Sequence, residues 1–132
     1  MTTTTGAPAD AADEVSLGEL LVQSSKGDRD RAAAKALAEE ETLLAHKGVR
    51  AALIVKHDGR MTARWEGLMG RLYTLGLDDE QRAFLGLVLS MVGIGSIPLT
   101  AVESLDERRL LIFQRAIVRL AGNDRIAVGT RL

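Results

Sequence analysis

The densest apolar block in the chain runs from Asp78 to Gly93, DDEQRAFLGLVLSMVG. Asp78, Asp79 and Glu80 open it, and Phe84, Leu85, Leu87, Val88, Leu89, Met91 and Val92 follow with only Gly86 and Ser90 between them. An ordinary surface helix has an apolar stripe about 100° wide, and here the large side chains cover about twice that arc. That is the pattern of a helix buried on most of its faces. The block therefore predicts a central helix whose acidic start suits the positive end of its dipole.

The flanking patterns predict further helices. Ser16–Gln23 is a short amphipathic piece in which Ser16 caps, Glu19 sits three residues on, and Leu17, Leu20 and Leu21 share a face. Ser24 to Gly27 then interrupts, leaving an arm that docks on the domain or on a partner. Asp28 is expected to cap a helix from Arg29 to about His46, rich in Ala32, Ala33, Ala34, Ala36, Leu37, Ala38, Leu43 and Leu44. Its Glu39, Glu40 and Glu41 read as a solvated face.

Val49 to Trp65 admits two readings. VRAALIVK and MTARW flanking Asp58-Gly59 make a candidate β-hairpin. Met61, Trp65, Leu68, Met69, Leu72 and Leu75 nevertheless keep helical spacing beyond any hairpin, and Asp58 is a good helix cap. Helix–turn–helix is the preferred reading. The expected helix over 58–75 then has a small face of Ala63, Gly67, Gly70 and Thr74, and an arginine stripe of Arg60, Arg64 and Arg71. The central helix has its own small face of Ala83, Gly86, Ser90 and Gly93, so the two are expected to close as an antiparallel hairpin through Gly76-Leu77-Asp78.

Near the end, Ser104-Leu-Asp-Glu107 reads as a capping box for a helix stopped at Ala121 by Gly122. Leu110, Phe113, Ile117, Leu120 and Ala121 are its expected core face. Leu111 and Val118 lie on the opposite side, beside Arg108, Arg115 and Arg119. A helix with two apolar faces is sandwiched or sits at an interface. These five residues, Leu111, Val118, Arg108, Arg115 and Arg119, are the candidate partner-binding set.

The expected fold is all-α: a small helical bundle of about four main helices, with a disordered N-terminal tail and a short extended C-terminal segment. Its divisions are a tail at 1–14, an arm at 15–27, a helical domain at 28–122 and the extended piece at 123–132. The tail, MTTTTGAPADAADE, has nothing to bury. At 132 residues the chain is long enough for one unstapled core.

Composition narrows function mainly by exclusion. A net charge of −1 gives no global attraction to nucleic acid or acidic lipid. There is no cysteine, which fits a reducing cytoplasm, and no secretory signal pattern at the start. Arginine outnumbers lysine thirteen to four, as in proteins of GC-rich bacterial genomes. From Ala83 to Val102 no residue is charged, but Gly93, Gly95 and Pro98 break any continuous span, so membrane insertion is not expected.

The chemical motifs are weak. Val88, Val92, Gly93, Ile94, Leu99 and Val102 fit a helix-turn-helix, yet its second helix would offer Ile97, Pro98, Leu99, Thr100, Ala101 and Glu103, which read neither base edges nor phosphates. Gly93-Ile94-Gly95-Ser96 follows a helix and lacks the lysine of a phosphate cradle. His46 and His57 have no paired ligand spacing, and no nucleophile–base–acid set assembles around either. No catalytic residue, metal or cofactor is expected. The sequence reads as a non-catalytic, self-associating protein–protein interaction or regulatory module. A small DNA-binding regulator using Arg108, Arg115 and Arg119 is the alternative, and a membrane-associated helical protein the third reading.

Overall fold

A computed structural model describes residues 16–95 and 97–130. The expected tail lies outside the described residues. The first element, α1, spans Leu17–Gln23. Ser16 Oγ accepts the Glu19 N–H at 3.2 Å and donates to the Glu19 carboxylate at 3.3 Å. The helix lies on α2, Asp28–Glu40, so closely that a Cβ on Gly18 would sit 2.5 Å from Ala38 Cβ. Leu21, 1% exposed, fills the contact from the arm's side. The arm thus packs against α2.

Helix α2 starts at Asp28, one residue earlier than expected, with Gly27 rather than Asp28 at the N-cap. It buries Ala32, Ala33, Ala34, Ala36 and Leu37, small side chains that let neighbouring helices approach. It also stops earlier than expected, because Glu41 takes φ 73°. The short helices α3, Thr42–Ala45, and α4, Lys47–Leu53, follow. The cause is Glu40. Its carboxylate turns inward, accepts the Leu43 N–H at 2.8 Å and bonds Thr42 Oγ1, so it caps a new helix turn instead of facing water. Glu40 is fully buried, which corrects the reading of a solvated acidic face.

The preferred helix over 58–75 does not form. Ile54–His57 (β1) and Arg60–Ala63 (β2) pair antiparallel, with His57 opposite Arg60 and Ile54 opposite Ala63. Asp58 at φ 52° and Gly59 at φ 77° make the two-residue turn with both angles positive that matches strand twist. Beyond it lie one 3-10 turn, Trp65–Leu68, and an irregular loop with Gly70 and Gly76 at φ 71° and 74°. Gly67 is required by a crossing backbone, since a Cβ there would lie 1.8 Å from the Ala52 carbonyl oxygen. The fold is thus mostly helical with one two-stranded sheet, and the expected all-α class is corrected by that hairpin.

The central helix stands as expected. In α5, Asp79–Met91, Asp78 accepts the Gln81 N–H at 2.7 Å while Gln81 Oε1 accepts the Asp78 N–H at 3.2 Å. Every residue from Ala83 to Leu89 is buried. The small faces do not meet as helices, however. Above Gly86 lie the side chains of Ile97 and Leu72, with Ile97 Cδ1 2.6 Å from where a Cβ would be.

A 3-10 segment, Leu99–Ser104, packs on α5 before the last helix, α6, Glu107–Leu120. Its cap is Asp106, which accepts the Arg109 N–H at 3.0 Å; Ser104 belongs to the 3-10 segment. The buried face is Arg109, Ile112, Phe113 and Ala116, whereas Ile117, expected in the core, is 42% exposed. After Gly122, at φ 73°, no strand follows among the described residues. Every α-helix adds side chains to one core with the 3-10 turn Trp65–Leu68, among them Leu21, Leu37, Leu43, Val49, Leu53, Leu68, Phe84, Ile112 and Phe113. No described helix is long and apolar enough to cross a membrane.

Candidate functional site

Three helix ends meet at Arg109, which is 8% exposed. Its Nε donates to Glu40 Oε2 at 2.9 Å, its Nη2 lies 2.9 Å from the same oxygen, and its Nη1 reaches Glu80 at 3.1 Å and Asp106 at 3.4 Å. Thr42 Oγ1 accepts from Arg109 Nη2 at 3.3 Å and from Gln81 Nε2 at 3.1 Å. Burial alone would pull the guanidinium pKa down, but the hydrogen bond and charge of Glu40, with Asp106 and Asp78, outweigh it and leave it raised. A permanently charged guanidinium held this way does no acid–base work. It clamps the end of α2 to the starts of α5 and α6.

The arginines expected to form a partner-binding rim are engaged with groups of their own chain. Arg108 Nη2 donates to the Glu39 and Glu40 carbonyls at 2.8 and 2.7 Å, satisfying the end of α2. Arg115 and Arg119 converge on the Glu39 carboxylate at 3.4 and 2.8 Å. Arg115 Nε also donates to the Val128 carbonyl at 3.4 Å, drawing the C-terminal segment along α6. Leu111 and Val118 on that side are half-buried. So the structure gathers the arginine stripe in one place, at the Glu39–Glu40 end of α2.

The histidines are accounted for locally. His46 Nδ1 accepts the Val49 N–H at 3.2 Å as the cap of α4, and exposed His57 pairs with Asp58 at 3.3 Å. Among the described residues no group of three or more metal-type ligands converges. A cleft of about 740 Å³ lies between the α1–α2 turn, α2, the hairpin and the end of α5. Leu21, Ala34 and Trp65 line it together with Lys26, Arg60 and Glu66, so it has no dominant charge.

The most unusual surface was not singled out by the sequence. Tyr73, Leu99 and Met69 are 83%, 72% and 60% exposed, the largest values among the exposed apolar side chains. Their two loops come together on one face of α5, where Leu72 and Ile97 both cover Gly86. Arg82, one turn earlier on that helix, stacks on the Tyr73 ring at 4.7 Å and is fixed by Asp79 at 2.9 Å and by the Leu77 carbonyl at 3.0 Å. The usable signal was an aromatic residue in a segment bracketed by glycines, Gly70 to Gly76. Compared with known protein families, curated proteins and solved structures, the chain matches none.

Proposed function

We propose that the chain is a non-catalytic protein–protein interaction module whose docking surface is the face around Tyr73. The observation that supports this reading is the exposure of Met69, Tyr73 and Leu99 on two loops whose Leu72 and Ile97 meet over Gly86 of α5. Scattered apolar residues on a surface need no explanation, but an exposed tyrosine stacked on an arginine that is itself fixed has the make-up of an interface centre. Covering the three side chains would contribute on the order of 5 kcal/mol before the costs of association. Self-association and a separate protein partner both fit the surface.

The DNA alternative asks more of the chain. Arg108, Arg115 and Arg119 would have to leave Glu39 and the carbonyls of α2 to reach phosphates. A photo-crosslinking amino acid at position 73 tests the proposal, with the same group at exposed Lys47 as the control. We expect position 73, and not 47, to trap either a second copy or one partner protein, and Leu99→Glu to abolish the product. Light scattering separates the two occupants. Equal crosslinking at both positions, or none at 73, overturns the reading.

A further inference from the structure

The cleft of about 740 Å³ between the α1–α2 turn, α2, the hairpin and the end of α5 shares no residue with the Tyr73 surface. One wall is the outer edge of β2. Arg64 N–H donates to the Leu53 carbonyl at 2.6 Å, which makes the neighbouring pair Ile54–Ala63 the kind that exchanges no hydrogen bonds across the hairpin. The N–H and C=O of Ala63, like those of Met61, therefore point away from β1. The Met61 carbonyl shows that direction, since it accepts Ser24 Oγ, from the α1–α2 turn, at 2.8 Å. Neither backbone group of Ala63 has a partner among the described residues, although the residue is half-buried. A free donor and acceptor on one residue of a strand edge are a template for another backbone.

The floor is apolar. Leu21 and Ala34, each 1% exposed, line it with Trp65, 5% exposed. The indole Nε1–H makes no hydrogen bond among the described residues, yet it is not one of the nitrogens cut off from solvent. Trp65 is thus a buried ring that keeps its donor for the cleft it lines. The rim sets Lys26, Arg60 and Arg64 against Asp30, Asp58 and Glu66, so no net charge draws in a polyanion or a polycation. Amide chemistry suits these walls. A peptide residue can accept from and donate to Ala63 at once, a carbonyl can take the indole N–H, and an apolar side chain can cover the floor. The volume matches sites that enclose small ligands, and Ser24 closes the edge at Met61, so the fit is to a few residues and not to a long strand.

We propose that this cleft binds a short extended peptide segment with apolar side chains, added as a third strand beside β2. The site is separate from the Tyr73 surface and stands or falls without it. The test is a titration of the full chain, labelled with nitrogen-15, with acetyl-trivaline amide as the probe. We expect saturable shifts of the Ala63 N–H and the Trp65 indole N–H, with a matching change in Trp65 emission. The same probe methylated at its amide nitrogens should bind about tenfold more weakly, because it can no longer donate to the Ala63 carbonyl. Ala63→Pro removes the other hydrogen bond at a position where an edge strand tolerates proline, and should weaken the unmethylated probe by about the same factor, read from Trp65 emission. The methylated probe needs no variant, so it decides the question even where Ala63→Pro fails to fold. No saturable shift, equal binding of the methylated probe, or shifts confined to the loop of Tyr73 overturn the proposal.

Discussion

Replacing Arg109 by methionine should be among the most damaging single changes in this domain. It removes the cation from Glu40, a carboxylate with 0% exposure that also organises the turn from α2 into α3. Breaking a buried pair from one side costs about 3–5 kcal/mol, because the remaining charge is stranded. The contacts of Arg109 with Glu80 and Asp106, whose side chains are 47% and 40% exposed, add at most about 1 kcal/mol after screening by solvent. Against a total stability of about 5–15 kcal/mol, the loss should lower the melting temperature by on the order of 15 °C. Urea unfolding followed by circular dichroism reads the cost directly, provided the slope is unchanged. Glu40→Gln added to Arg109→Met should cost less than the two single losses summed, since no buried charge is then left alone. A loss below about 1 kcal/mol for Arg109→Met, or strict additivity, would refute the clamp. The raised pKa of Arg109 contributes stability that is complete below its unfolded value and fades only as pH rises through the folded one. Both lie in strong alkali, so Arg109 should add no pH slope to stability around neutrality.

The glycines sort by mechanism. Gly67→Ala should cost about 3 kcal/mol, because its Cβ lands 1.8 Å from a backbone oxygen that cannot yield; an unchanged urea midpoint would place Ala52 elsewhere. Gly70→Ala meets nothing within 4 Å and should lose only about 1 kcal/mol, through its positive φ. Leu111→Glu with Val118→Glu should leave a folded protein of unaltered mass by light scattering, with stability lower by about 1–2 kcal/mol. A fall in mass would move the docking surface back to the last helix.

What was legible in the sequence was local. The start of α5 announces itself through the acidic run Asp78, Asp79 and Glu80, and its burial through dense apolar side chains. Ser16 and Glu19 mark α1 in the same way. The hairpin was missed because two signals conflicted: a two-residue Asp-Gly turn argued for strands, and an apolar spacing of Met61 to Leu75 argued for a helix. The turn won, and Met69 from that spacing points outward, 60% exposed. Nothing near Glu41 resembles a helix stop, since the break is made by the buried carboxylate of its neighbour. The rotation of α6 has a similar origin. Arg109 joins the buried face because Glu40 awaits it, and no periodicity in apolar residues can show that. The stripe of Arg108, Arg115 and Arg119 was visible, but Glu39 is far away in sequence, so its role as their shared partner was not.

The chain's single tryptophan gives the hairpin region an optical identity separate from that of the helices. Trp65 is 5% exposed, lies in the 3-10 turn directly after β2, and belongs to the same core cluster as Phe84 and Leu37. Its emission reports whether the non-helical segment from β1 to the glycine-bracketed loop is seated, whereas far-ultraviolet dichroism is dominated by α2, α5 and α6. Coincident transitions by the two signals would mean that hairpin and helices unfold as one unit. An emission change at lower denaturant would mark the hairpin, and the loop of Tyr73 behind it, as the part of the domain that opens first.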